Sequence, residues 1–284
     1  MDALELVAEW PVGTVAAGVM APDGSTSTWG PADQPFGLAS VTKPLVALAV
    51  LVAVEEGTLD LDVELRDGRL GRGVTVRHLL AHASGLAFDQ VERIALPGSR
   101  RIYSNVGFEI LGEVLAEASG LDPATYLDEG VSQPLGLTTT RLLGSPAADA
   151  VSTVNDLLVV AAELLATAPV LLSPDTLRQA RTEQFPGLTG VLPGFGQQRP
   201  NPWGLGFEIR GSKTPHWTGS ANSPSTFGHF GQAGTFLWVD PEWPGALVVL
   251  TDRSFGDWTR ARWPALSDAV LQLPPRPTDG QASP

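Results

Sequence analysis

The longest apolar stretch of the chain runs from Pro44 to Val54 and is stopped by Glu55-Glu56-Gly57. Its 11 residues are too few to cross a bilayer, so the run predicts a buried core helix. Pro44 has no N–H and suits a first helical turn, which puts the helix start near Ser40. Upstream, residues 13–20 read as a strand and Ala21-Pro22-Asp23-Gly24 as a turn. Residues 25–29 then make the hairpin partner of an antiparallel sheet. Residues 30–36 are a polar loop, and Leu59 to Val63 is a short strand or an extended link.

From about residue 65 to 200 the pattern turns helical and loop-like. Val74 to His82 is a short apolar-periodic segment. Over residues 107–119, Leu111, Val114, Leu115 and Ala118 form one face, Glu109, Glu113 and Glu117 the other, and Gly120 is the stop. Further helices are expected at 123–130, 153–166 and 173–183. Residues 186–204, rich in Pro and Gly, predict a long surface loop and a candidate lid. Strand patterns return at Leu205–Arg210, Gly234–Asp240 and Ala246–Asp252, followed by a helix from Trp258 to Leu273.

Strands at both ends with helices between predict an α+β fold: an antiparallel sheet flanked by helices from the terminal regions, with a mostly helical inserted domain. The expected boundaries are 1–62 with 203–273 for the sheet domain and 63–202 for the helical one. Residues 274–284, polar and Pro-rich, are expected to be a disordered tail.

Composition removes several function classes. The net charge of −13 argues against a nucleic-acid partner, since phosphates need clustered Lys and Arg. The absence of cysteine excludes disulfides, thiol chemistry and a thiolate zinc site. The acidic start Met1-Asp2-Ala3-Leu4-Glu5-Leu6 has no apolar signal core, and no stretch is long enough to span a membrane, so a cytoplasmic protein is the default expectation. No cofactor fingerprint is present. His78 and His82 stand at i, i+4, a spacing that could ligate a metal, but the sequence nominates no third ligand.

Three short motifs carry candidate chemistry. Ser40 and Lys43 share a helix face. They read either as a nucleophile beside its base or as a capping serine with a snorkelling lysine. Alone the spacing is weak: chance yields a Ser-x-x-Lys in about one such sequence in eight. Tyr103-Ser104-Asn105, just ahead of the 107–119 helix, is rarer, and Asn105 could simply cap that helix. His229-Phe230-Gly231 lies in a Gly-rich stretch leading into the strand at 234–239.

In this order the motifs resemble the serine hydrolases that include class C β-lactamases, serine D,D-peptidases and related esterases. Val74 to Leu86, Gln133-Pro134-Leu135-Gly136-Leu137 and Thr153 to Asp156 also resemble segments of that family. The resemblance covers about residues 10–270. It implies the β-lactamase/transpeptidase-like fold and acyl-enzyme formation on Ser40, without cofactor or metal. The groups in reach as base are Lys43 and Tyr103, and the alternatives stay open. Asn105 would orient substrate or hold Lys43. The backbone N–H groups of Ser40 and Gln232, after Gly231, would be the oxyanion donors.

One departure sets the expected substrate. His229 stands where β-lactamases have lysine, and a neutral His offers no fixed positive charge for a substrate carboxylate. The nearby Lys213-Thr214-Pro215 lacks the glycine that would let substrate approach the strand. The expectation is therefore a small-molecule ester or small-amide hydrolase. A D,D-peptidase or β-lactamase on the same machinery is the first alternative, and a non-catalytic binding module the second. Oligomeric state is not legible.

Overall fold

The computed structural model describes residues 3–272. A 3-10 helix, Ala3–Glu9, precedes the expected hairpin of β1 (Val15–Met20) and β2 (Thr26–Trp29). A two-residue strand, β3 (Phe36–Gly37), leads into a 3-10 turn, Ala39–Val41, and then α1 (Thr42–Glu55). Pro44 sits in the first turn of α1, as its missing donor requires. Every residue of α1 from Thr42 to Ala53 is buried, which is why the run is apolar on all faces rather than striped.

Leu59 to Val63 is neither strand nor extended but a bent link, folded by the Asp60 side chain accepting from Asp62 and Val63 N–H and tied to α2 (Val76–Leu80) by Arg77 N–H donating to the Leu61 carbonyl. The amphipathic segment forms α3 (Asn105–Ser119), longer by two residues than predicted. Ser104 is its N-cap and Gly120, at φ +75°, its left-handed stop. The helix expected at 123–130 is instead α4 (Pro123–Leu127), one π turn (Asp128–Ser132) and α5 (Gln133–Leu135). Two short strands, β4 (Arg141–Leu142) and β5 (Ala150–Ser152), join β3 in a small sheet ordered β3-β5-β4. Helices α6 (Val154–Leu165) and α7 (Pro174–Ala180) follow, capped by Thr153 and Ser173.

The 186–204 segment is not a structureless loop. It carries a hairpin of β6 (Gly190–Leu192) and β7 (Gly196–Gln198). The strand expected over 205–210 shrinks to β8 (Glu208–Ile209). A strand the pattern missed, β9 (Phe227–Gly231), carries His229. Then come β10 (Thr235–Asp240), β11 (Gly245–Thr251) and α8 (Asp257–Leu271). The predicted tail from 274 lies outside the described residues.

The main sheet is antiparallel in the order β2-β1-β11-β10-β9-β8. Both faces are covered, and period-two alternation sorts each strand between two cores. Ala16, Leu237, Val248 and Leu250 face the core built on α1, α3 and α6. Ala17, Phe236, Trp238 and Val249 face the one built on α8 and the first 3-10 helix. Among the described residues, no helix is long and apolar enough to cross a membrane.

Candidate active site

The tip of α1 meets the end of β9. Ala39, the residue before Ser40, is held at φ +47°, a region that costs a non-glycine residue about 1–2 kcal/mol. Its neighbours enforce the turn. Leu38 N–H donates to the Ala150 carbonyl, Thr235 Oγ1 donates to the Leu38 carbonyl (2.7 Å), and Thr42 Oγ1 accepts from Ala150 N–H. A Cβ on Gly231 would stand 2.3 Å from the Leu38 carbonyl oxygen and 3.2 Å from the Ala39 Cβ. The glycine of His229-Phe230-Gly231 therefore makes room for the Ser40 turn itself.

Ser40 and Lys43 meet as their spacing predicts. Lys43 Nζ lies 3.3 Å from Ser40 Oγ, 2.8 Å from Asn105 Oδ1 and 2.8 Å from the Ala147 carbonyl oxygen. Asn105 is the first residue of α3 and does not cap it; that work falls to Ser104, which leaves the Asn105 amide for the amine. Lys43 is fully buried, and burial lowers its pKa from 10.5 to about 7 against a smaller upward pull from Glu109. The amine also lies 4.8 Å from the Tyr103 ring centroid.

The Tyr103 hydroxyl stands between Ser40 and His229. It is 3.4 Å from His229 Nε2. Burial pushes its phenol far above the usual tyrosine value, while a hydrogen bond with Ser40 pulls the other way. His229 Nδ1 is 2.7 Å from the Phe230 carbonyl, which can only accept, so Nδ1 carries the proton and Nε2 is free to accept from Tyr103. Burial, then the charge of Lys43, holds His229 down at about 3, so the ring is neutral.

These side chains open onto one cavity of about 280 Å³, lined also by Phe88, Leu192, Pro193, Trp203, Phe230 and Gln232. The wall is predominantly apolar. Phe88 is half exposed at the mouth, its carbonyl held by the N–H groups of Asn105 and Val106. Gln232 follows β9, and its carbonyl accepts from Phe255 N–H. The charged residue lining the cavity besides these groups is Glu208. Burial would raise its carboxyl, but His216 and Lys213 hold it down to about 2. Lys213 Nζ donates to Glu208 and to the Pro202 and Ile209 carbonyls, so this lysine is spent inside an ion pair. Among the described residues, no Lys or Arg offers a free positive charge to the cavity.

All seven nominated residues, Ser40, Lys43, Tyr103, Asn105, His229, Gly231 and Gln232, thus come together within or beside one cavity. Sequence reasoning missed the Ala147 carbonyl, the apolar wall and Glu208. A backbone carbonyl in an irregular loop leaves no sequence signal; Trp203, a bulky aromatic in a Pro- and Gly-rich stretch, was the one visible hint.

Comparison with known proteins places the chain in a family. A β-lactamase from Mycobacterium bovis, known as a crystal structure, is 55% identical, with a TM-score of 0.90 over 95% of this chain and 98% of that one. Esterase EstB from Burkholderia gladioli is 36% identical in an alignment that covers 37% of this chain and 38% of the esterase. A penicillin-binding protein from Bacillus subtilis is 29% identical over 38% of this chain and 30% of that protein. The matched stretches thus span only 38% and 30% of the length of these two curated relatives. The Beta-lactamase family model matches residues 9–272, and the chain belongs to that family.

Proposed function

We propose that this member of a serine-hydrolase family hydrolyses neutral small-molecule esters or small amides through an acyl-enzyme on Ser40. The observation that carries the reading is the hydrogen-bond count at Lys43. As an uncharged amine it has two N–H donors and one lone pair. Two carbonyl-type acceptors, Asn105 Oδ1 and Ala147 O, take the donors, which turns the lone pair toward Ser40 Oγ. With its pKa near 7 the amine is half deprotonated at neutral pH and suited to general-base work. Lys43 is therefore the base in this reading. Tyr103, whose phenol is pushed up, remains a proton donor that bridges toward the leaving group.

In the acylation step Ser40 Oγ bonds to the substrate carbonyl carbon as its proton passes to Lys43. The carbonyl oxygen becomes an oxyanion facing the Ser40 and Gln232 backbone N–H groups. The C–O or C–N bond then breaks, and the leaving group takes a proton from the Lys43–Tyr103 pair. Water repeats the sequence on the acyl-enzyme and releases the acid. Preference for neutral substrates follows from the neutral His229, the spent Lys213 and the apolar wall.

The test is intact-mass analysis after a fluorophosphonate probe, with p-nitrophenyl acetate hydrolysis in parallel. One adduct on Ser40, and loss of both signals in Ser40→Ala, is the expected result. No adduct, with hydrolysis unchanged in Ser40→Ala, would leave only the binding-module alternative. The similarity to the Mycobacterium bovis β-lactamase favours a second reading, β-lactam hydrolysis or D,D-peptidase activity on the same groups. Nitrocefin turnover faster than ester turnover would establish it over the first.

A further inference from the structure

The two histidines that the sequence sets at i, i+4 have separate fates. His78 is occupied: its Nδ1 meets Thr75 Oγ1 at 2.9 Å and its ring stacks on Phe185. His82 is buried behind the active site and is held at φ +52°, a conformation that suits glycine or asparagine far better. Its carbonyl accepts from Ile102 N–H (2.9 Å), and its Nδ1 accepts from Ser104 N–H (3.2 Å). The residue between those two donors is Tyr103, whose ring packs on the imidazole at 4.5 Å. One side chain and its own carbonyl therefore hold the residues on both sides of Tyr103.

That arrangement carries two penalties. An accepting Nδ1 obliges the neutral ring to carry its proton on Nε2. The buried Nε2 finds no hydrogen-bond partner among the described residues; the Trp203 ring stands perpendicular to the imidazole at 4.6 Å. A buried donor without an acceptor and a left-handed backbone are both unfavourable, and together they mark a residue kept for placement rather than for packing. Burial and the charge of Lys43 keep the ring well below the usual histidine value, so the accepting tautomer persists through the neutral range.

We propose that His82 is the positioning residue for Tyr103: it fixes the phenol between Ser40 and His229 and affects the reaction only through that phenol. The proposal rests on the reading of Tyr103 as part of the acylation machinery. His82→Asn keeps an acceptor close to the Nδ1 position and tolerates the positive φ. His82→Gly keeps the backbone conformation and removes the acceptor.

The experiment is steady-state hydrolysis of p-nitrophenyl acetate by both variants, made in the wild-type and Tyr103→Phe backgrounds, with Tm recorded for each. His82→Gly is expected to lower kcat at least tenfold with KM within about twofold. His82→Asn should restore kcat to within about threefold of wild type. In Tyr103→Phe the Gly substitution should lower kcat less than twofold further, because a residue that acts through Tyr103 has nothing left to position. A full tenfold loss in both backgrounds would overturn the proposal. Should His82→Gly not fold, His82→Asn decides: folded protein with a tenfold lower kcat refutes it. If Tyr103→Phe alone leaves kcat unchanged, the reading of Tyr103 has failed, a result separate from the failure of His82.

Discussion

Replacing Lys43 by methionine tests the assignment of the base without measuring catalysis at all. The pKa of this lysine falls from 10.5 to about 7 in the folded protein, mainly through burial. Between those values the unfolded chain binds one more proton than the folded one, so wild-type stability rises with pH across that window. This is the reverse of the usual case, in which a lysine gains a partner on folding and its contribution is lost as pH rises. Integrating a single proton from pH 7 to pH 9 gives a gain of about 2.3 kcal/mol. Lys43→Met lacks the group and lacks the gain. Other titrations are common to both proteins and cancel in the difference. The assay is urea unfolding of both proteins at pH 7, 8 and 9, reading ΔG from the linear extrapolation. The wild-type advantage over Lys43→Met should grow by about 2 kcal/mol over that range. A difference that stays flat would mean that Lys43 keeps an ordinary lysine pKa, and the general-base argument would fall with it.

The same proton should appear in the rate: kcat/KM for a neutral ester should rise with pH through a midpoint near 7, and a profile flat from pH 6 to 9 would contradict it. Asn105→Leu removes one of the two acceptors that orient the amine; kcat should fall about tenfold or more with fold retained, measured on p-nitrophenyl acetate. Gly231→Ala drives a Cβ into the Leu38 carbonyl and should reduce fluorophosphonate labelling of Ser40 by more than tenfold, whereas labelling at the wild-type rate would show that the turn is not constrained there. Gly206, at φ +87°, leaves no room for a Cβ against Ala47 of α1, so Gly206→Ala should lower stability by about 2 kcal/mol or more in urea melts.

Much of the site was legible because its parts lie close together in sequence. Ser40, Lys43 and Pro44 announce a helix tip by local rules alone, and the all-apolar run after them announces burial. The amphipathic 107–119 pattern located the helix that presents Asn105. The failures share a physical cause. Two of the five residues of β9, Gly228 and Gly231, are glycines, which weakens its strand signal; it is a strand because β10 pairs with it across Thr235↔Gly231 and Leu237↔His229. The hairpin at 190–198 is likewise made by tertiary contact within a Pro- and Gly-rich stretch. Lys213 looks, in sequence, like a free cation near the third motif. Only the fold shows that Lys213 is paired with Glu208, a carboxylate that His216 and Trp217 also bond. The partner carbonyl of Lys43, at Ala147, belongs to no pattern because any residue type supplies one.

The three contacts of the Lys43 amine have a consequence for the tempo of turnover. As NH₂ it donates twice and accepts once; as NH₃⁺ it donates three times to the same three oxygens. Neither protonation state is left with an unmet bond, and neither needs an atom of the scaffold to move. The amine can therefore hold the proton taken from Ser40 until the leaving group needs it, and the proton taken from water until Ser40 needs it back, like a reservoir whose walls fit it both full and empty. A site of this kind keeps its reorganisation energy low, and the speed of the cycle is left to the substrate: how readily its leaving group departs, and how quickly the acid it becomes can escape past Phe88, Leu192 and Pro193.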